Sequence, residues 1–252
     1  MKTLLLLLIV CGTLSAQWLK IPTPGIPRTA DGKPDLAAPA PKTADGKSDV
    51  SGLWQPGPGY VENIAKDLKI EDIPFRPWAQ TLYQHRRDTL SKEDPTGWCN
   101  PGGVPRSDAV PYPFKIVPAA GGGEIMILYE AVHSYRQVFM DGRALPKDPN
   151  PNWLGYSVGK YEGGALVVES SGFVENSWLD NNGLPGTESL HVTERFKRKD
   201  FGHMDIEVTI DDPKTYTKPW TVTLPLRLLP DTELLEYICT ENNKDLEHLV
   251  GK

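Results

Sequence analysis

Apolar and polar residues alternate strictly through the second half of the chain, and this alternation predicts β-strands. Residues 204–210 place an apolar side chain at every second position, and residues 220–228 repeat the pattern. A period of two is typical of a strand with one face in the core and the other in water. The other strands predicted in this half are residues 125–140, 156–161, 165–170, 190–197 and 233–240.

Short turns that contain glycine join these strands. Asp141-Gly142 ends the first run, Glu162-Gly163-Gly164 links the next two, and Asp200-Phe201-Gly202 links a later pair. Turns of this kind connect neighbouring antiparallel strands. We therefore predict a mainly β fold, in which an antiparallel meander closes into a lipocalin-like barrel or a curved sheet.

The first part of the folded chain carries a helical pattern instead. After a first strand at residues 50–55, helices at 61–68 and 77–90 make a small helical N-terminal part, about residues 60–92. Pro77 stands at a favourable helix start. Residues 91–118 are broken by proline and glycine and are predicted to be irregular, and long ordered loops are often functional. The stripe predicted to face inward on the second helix is Trp78, Leu82, His85 and Leu90.

A proline-rich arm covers residues 17–50. Within it, residues 29–36 return as a near-repeat at residues 43–50, each with an Asp-Gly turn. Prolines hold the intervening backbone extended, which predicts a semi-rigid spacer or a strap over the surface. The predicted organisation is a signal peptide at residues 1–16, the arm at 17–50 and a single β-rich domain at 51–252.

The first sixteen residues have the pattern of a secretory signal peptide. Lys2 supplies a positive charge, residues 4–10 are unbroken apolar, and Ala16 offers a small residue for cleavage. An apolar run this short does not reach the roughly 20 residues that a membrane-spanning helix needs. The sequence predicts export to the periplasm or the medium.

The net charge indicates which classes of partner are disfavoured, and the cysteines indicate a disulfide. The net charge of −6 and the absence of a long basic run disfavour nucleic acid, and no second apolar stretch is long enough to span a membrane. Cys11 is lost with the signal peptide, which leaves Cys99 and Cys239 in an oxidising compartment. We predict that these two form a disulfide, the alternative being two unpaired buried thiols.

No metal or cofactor is expected. Neither remaining cysteine lies in a Cys-x-x-Cys motif, and the known signatures for catalytic serine, zinc, nucleotide and dinucleotide sites do not occur. A metal site would need histidines brought together by chance in the fold. The five scattered histidines are His85, His133, His191, His203 and His248.

Charged residues on apolar strand faces are the strongest sign of a site. If residues 125–140 form one regular strand, Glu130 and Arg136 share a face with Met126 and Leu128, and Glu194 lies on an apolar face of a later strand. An unpaired buried charge costs several kcal/mol. These charges therefore predict either a polar binding pocket in a barrel lumen or a structural ion-pair network.

Histidine and aromatic side chains also fit either a functional site or a purely structural role. His133 and His191 are candidate general acids or bases, and aromatic residues from Trp153 to Trp178 either line a pocket mouth or pack in the core. The catalytic candidates are Glu130, His133, Arg136, His191 and Glu194. The ligand-binding candidates are Glu130, Tyr135, Arg136, Trp153, Trp178 and Glu194.

Several short motifs resemble those of a large family of uncharacterised exported proteins from soil-type bacteria. The resemblance covers most of the mature chain and implies no particular activity. Lys160-Tyr161-Glu162 departs from it, since the family has a basic residue and Trp there. The motifs are Thr43-Ala44-Asp45-Gly46-Lys47 leading into Ser51-Gly52-Leu53-Trp54, Cys99-Asn100-Pro101-Gly102-Gly103-Val104-Pro105-Arg106, Asp141-Gly142-Arg143, Gly155-Tyr156-Ser157-Val158-Gly159, His191-Val192-Thr193-Glu194-Arg195-Phe196, Thr209-Ile210-Asp211-Asp212-Pro213 and Thr217-Lys218-Pro219-Trp220.

Three functional hypotheses follow. The first is an exported barrel that binds a small organic molecule through the polar residues above. The second is a cofactor-free lyase, isomerase or hydrolase, with a carboxylate or His133 as base and Arg136 stabilising negative charge. The third is a structural or interaction module of the cell envelope that uses the arm.

Overall fold

A closed barrel of nine strands dominates the computed structural model, which describes residues 22–241. The order around the barrel is β1-β11-β10-β9-β6-β5-β4-β3-β2, while β7 and β8 pair only with each other. The barrel and its small helical part confirm the predicted fold class. The strands are β1 (Gly52–Pro56), β2 (Phe114–Pro118), β3 (Glu124–Tyr129), β4 (Tyr135–Phe139), β5 (Tyr156–Glu162), β6 (Ala165–Ser171), β7 (Ser177–Trp178), β8 (Pro185–Gly186), β9 (His191–Arg198), β10 (His203–Asp211) and β11 (Trp220–Leu228).

One neighbouring pair in the barrel wall departs from the antiparallel meander. Strands β4 and β5 run parallel, and their pairing covers only Val138 with Ser157 and Phe139 with Val158. Parallel neighbours need a crossover connection instead of a tight turn, and residues 140–155 supply it here. The two strands consequently meet at one end only, and the barrel wall opens beside the rest of β4.

The barrel interior is filled with apolar side chains. All four inward residues of β10, from Met204 to Ile210, are fully buried, as the alternation predicts. They pack with the inward residues of β11 and β9 and with Trp54, whose indole Nε1–H donates to Val50 O at 3.0 Å. Each such residue contributes about 1.5–3 kcal/mol through burial. This part of the molecule is a packed core.

The prediction of one strand over residues 125–140 is wrong. Strand β3 ends at Tyr129 and β4 begins at Tyr135, with a short 3-10 turn, Ala131–His133, between them. Val132 and His133 have φ of 59° and 45°, which no extended strand allows. The turn changes the phase of the alternation, so that β3 buries Ile125, Ile127 and Tyr129, and Met126 and Leu128 face outward.

The helical part is smaller than the sequence indicates. Helix α1 (Pro77–Asp88) confirms the second predicted helix and α2 (Arg106–Ala109) is a single turn, but residues 61–68 form turns. The inward stripe on α1 is wrong, because Ala79, Tyr83 and Arg86 are buried while Leu90 is 90% exposed. Tyr83 reaches the core by stacking on Phe75, their ring centres 5.4 Å apart. The further 3-10 turns are Ile70–Asp72 and Pro95–Trp98.

The proline-rich arm lies along the barrel. The arm contacts the β9–β10 turn, where the N–H groups of Phe201 and Gly202 donate to the carbonyls of Ala38 and Leu36, each at 2.8 Å. Of the two predictions for the arm, a spacer or a strap over the surface, the strap is the one that describes residues 22–50.

Two predictions outside the arm are wrong. Residues 114–118, in the region predicted to be irregular, form β2, and residues 233–240, predicted as the last strand, are irregular.

A disulfide holds the C-terminal tail, which we define as residues 229–241. Cys99 and Cys239 are bonded, with Cα atoms 5.8 Å apart, which confirms the predicted pair. The rings of Tyr112 and Tyr237 pack beside it at 5.1 Å. The predicted signal peptide, Cys11 and His248 lie outside the described residues.

Candidate functional site

A polar cluster lies inside the barrel around Arg136. Its guanidinium Nε donates to Ser157 Oγ at 2.8 Å and its Nη2 donates to Ser170 Oγ at 2.6 Å and to Glu194 Oε2. The carboxylate of Asp108, from α2, lies 3.9 Å from Arg136 Nη1. The Asp108, Arg136 and Glu194 side chains are at most 1% exposed, so this cluster is closed to solvent.

The cluster carries two carboxyl groups and one cation, which gives an excess of one negative charge if both carboxyl groups are ionised. Protonation of Asp108 removes this excess. Burial raises the pKa of Asp108 well above its usual value, and the nearby charge of Glu194 raises it further. Tyr129 OH donates to Asp108 Oδ1 at 2.8 Å. Within residues 22–241, Asp108 Oδ2, Arg136 Nη1 and Glu194 Oε1 have no hydrogen-bond partner. A protonated Asp108 leaves a single ion pair in the cluster, between Arg136 and Glu194.

Arg136 and Glu194 are therefore brought together, whereas Glu130, His191 and Trp178 lie apart from them. Glu130 accepts from the N–H of Leu235 in the tail at 3.1 Å. His191 faces outward on β9, 3.8 Å from Glu169. Trp178 is buried beneath the Arg86 guanidinium, 4.3 Å from its ring centre.

A cleft opens in the barrel wall beside Arg136. It has a volume of about 480 Å³ and lies where β4 and β5 diverge, bounded by residues 132–137, Phe139, residues 152–157 and Pro101. We call it the wall cleft. The predicted ligand-binding residues Tyr135 and Trp153 line it, together with buried Arg136.

Aromatic side chains form the sides of the wall cleft. Tyr135 is 65% exposed, and the rings of Phe139 and Tyr156 stack at 5.1 Å. Arg143 fixes this stack, because its guanidinium lies 3.9 Å from the Phe139 ring centre and donates to Tyr156 OH at 3.0 Å. The cleft thus presents preorganised aromatic surface to solvent.

His133 borders the wall cleft with a defined tautomer. The backbone N–H of Tyr237 donates to His133 Nε2 at 2.9 Å, so the neutral imidazole carries its proton on Nδ1. His133 and Val132 both hold positive φ values, a conformation that costs of order 1–3 kcal/mol for a branched residue. Strained backbone of this kind concentrates at binding sites.

A separate buried carboxyl, Asp180, supports the helical part. It accepts from the N–H of Leu184 at 3.1 Å and of Ile64 at 3.2 Å. Burial raises the pKa of Asp180 from 3.8 to about 7, although these hydrogen bonds oppose the shift.

We expect the Asp180 carboxyl to make stability depend on pH. The folded protein binds this proton more tightly than the unfolded chain, so its contribution is fully present below pH 3.8 and is lost as pH rises through about 7. The free energy of unfolding should fall by up to about 1.4 kcal/mol per pH unit in that window. Urea unfolding of wild type and Asp180→Asn across this window measures the slope, which should be smaller in the variant because the contribution of Asp180 is gone. Equal slopes in both proteins would contradict this assignment.

The described range contains neither a metal-ligand cluster nor a membrane-spanning helix. No group of three or more His, Cys, Asp or Glu side chains there is arranged to hold a metal ion. No helix between residues 22 and 241 is long and apolar enough to cross a membrane.

No protein-family model, curated protein or solved structure matches this chain. The resemblance to exported bacterial proteins stays a prediction.

The sequence did not predict several residues of the interior cluster around Arg136 and of the wall cleft. Ser157 and Ser170 occupy inward positions of predicted strands, and a serine on an otherwise apolar face was a usable signal. Asp108 gave none, because it comes from the proline-rich region where no periodicity applies. Gln137 and Asn152 of the wall cleft were missed because the cleft depends on how β4 and β5 pair.

Proposed function

We propose that this protein is an exported β-barrel that binds a small organic molecule in the wall cleft. The observation that carries the proposal is the opening between β4 and β5, which combines exposed aromatic rings with polar side chains. Its volume of about 480 Å³ falls within the range of small-molecule sites. Export rests on the predicted signal peptide and is compatible with the disulfide.

The location differs from the barrel-lumen pocket that the sequence suggests. Arg136 and Glu194 pair with each other, and the inward residues around them are buried apolar side chains. Lumen binding would require a ligand to displace packed core residues. The wall cleft requires no such change, since Tyr135, Gln137 and Asn152 are exposed to solvent.

A rigid frame surrounds the wall cleft. Buried Arg136 anchors β4 to Ser157 of β5 through a 2.8 Å hydrogen bond. The tail holds His133 from the other side, and the disulfide fixes the tail. Preorganised side chains lose little conformational entropy on binding, which favours affinity.

Filling the cleft should abolish binding without unfolding the protein. We expect Gln137→Trp to remove the thermal shifts that members of a small-molecule library cause in wild type, because the indole occupies the cleft. A ligand at one hundred times its Kd stabilises the folded state by about 2.7 kcal/mol. Thermal unfolding of the mature protein measures this shift.

The matched control is Lys160→Trp, which places the same side chain on an exposed position of β5 outside the cleft. This variant should respond to ligands as wild type does. Hits that stabilise Gln137→Trp as strongly as wild type would place binding elsewhere and reject the proposal.

A further inference from the structure

We infer that the ligand of the wall cleft is a neutral carbohydrate. This inference rests on the proposed function, since it names the chemical class that the same cleft would accept. Three properties of the lining carry it: its lack of free charge, its exposed aromatic faces and its neutral polar groups.

The lining has no free charge to pair with an ion. None of its side chains is Asp, Glu or Lys, and its single formal charge is that of Arg136, which is buried and already paired with Glu194. The guanidinium of Arg143, which packs on Phe139 beside the cleft, is paired with Asp141. A charged ligand would leave water without a partner of opposite charge, which is unfavourable. The cleft therefore selects neutral molecules.

The aromatic faces require an apolar surface on the ligand. Tyr135 is 65% exposed, Trp153 and the Phe139–Tyr156 stack are half-buried, and all four border one opening. A pyranose ring presents weakly positive C–H groups on its faces, which suit the negative face of an aromatic ring. A purely hydrophilic ligand would gain nothing from these side chains.

Neutral hydrogen-bonding groups surround the aromatic faces. Gln137 and Asn152 are exposed amides in the lining, and the neutral His133 carries its proton on Nδ1 because Nε2 accepts from Tyr237. Amides offer donors and acceptors together, which match the hydroxyl groups around a sugar ring. A purely apolar ligand would leave these groups desolvated and unpaired.

An extended peptide is the main competitor. The pairing of β4 with β5 begins only at Val138, so among residues 22–241 the backbone of Tyr135 pairs with β3 on one side and has no partner strand on the β5 side. A peptide strand can add to such an edge. The open edge covers only two or three residues, however, and does not use the exposed amides.

The test measures tryptophan fluorescence during titration with neutral oligosaccharides, using cellobiose, maltose and xylobiose as probes. A pool of uncharged peptides and a set of aromatic acids are titrated in parallel. We expect saturable binding of at least one oligosaccharide to the mature protein. Tyr135→Ala should weaken this binding roughly tenfold, whereas Trp78→Ala, which removes a half-exposed aromatic residue on α1, should not.

The outcomes separate this inference from the proposed function. Binding of peptides or aromatic acids that depends on Tyr135, with no oligosaccharide binding, would overturn the carbohydrate assignment and keep the wall cleft as a site. Oligosaccharide binding that is equal in Tyr135→Ala and wild type would overturn the assignment to this cleft. A complete lack of Tyr135-dependent binding would reject both.

Discussion

Replacing Arg136 by methionine is expected to lower the free energy of unfolding by about 3–5 kcal/mol, because it leaves a carboxylate buried without its partner. Arg136 is the cation of the interior cluster, and the Glu194 carboxylate that it pairs with has no exposed surface. The loss also breaks the hydrogen bonds to Ser157 and Ser170. Equilibrium urea unfolding measures the change.

Two further variants identify the cause of the loss. Arg143→Met removes a neighbouring arginine that is 44% exposed and paired with Asp141, and it should cost less than about 1 kcal/mol. The double variant Arg136→Met with Glu194→Gln should be more stable than Arg136→Met alone, because no unpaired charge remains. A loss from Arg136→Met as small as that from Arg143→Met would contradict a buried ion pair.

Removal of the disulfide is expected to lower the free energy of unfolding by about 3–5 kcal/mol. The bond joins residues separated by 140 positions, so it encloses most of the barrel and restricts the unfolded chain strongly. Urea unfolding of Cys99→Ala with Cys239→Ala, compared with wild type, measures this contribution.

Reduction of the wild-type protein provides the control. A thiol reductant should lower wild-type stability to the level of the double variant and leave the variant unchanged. If fully reduced wild type, verified by thiol titration, unfolds at the same urea concentration as the oxidised protein, the predicted contribution of the bond is wrong.

The sequence predicted the strands in which the alternation of apolar and polar residues continues without interruption. In β10 and β11 every second residue is apolar and buried. Residues 125–140 are also rich in apolar residues, yet the left-handed backbone at Val132 and His133 divides them into two strands. Hydrophobic periodicity does not reveal such a turn, because neither residue is a glycine or proline.

The candidate sites were predictable to a different degree. Arg136 and Glu194 stand out because charge on an apolar face needs a partner, and they are each other's partner. Asp108 reaches them from the short helix α2, through tertiary structure alone. The wall cleft depends on the two-residue parallel contact between β4 and β5, which the crossover connection determines and local sequence does not.

In the function that we propose, the barrel separates structural and binding roles. Its interior uses buried charge to hold β4, β6, β9 and α2 together, while its wall leaves an aromatic opening beside β4. The position of Arg136 links the two, since it lies in the cluster and in the strand that borders the cleft. Binding is expected at the wall and not in the lumen.

Chemical-shift mapping of backbone amides, with the strongest hit from the thermal-shift screen, tests this claim most directly. The account predicts that the changes are largest at Gln137, Trp153 and Tyr156, together with the Trp153 indole. Largest changes at the interior residues Glu194 and Phe196, with the wall cleft unaffected, would contradict it.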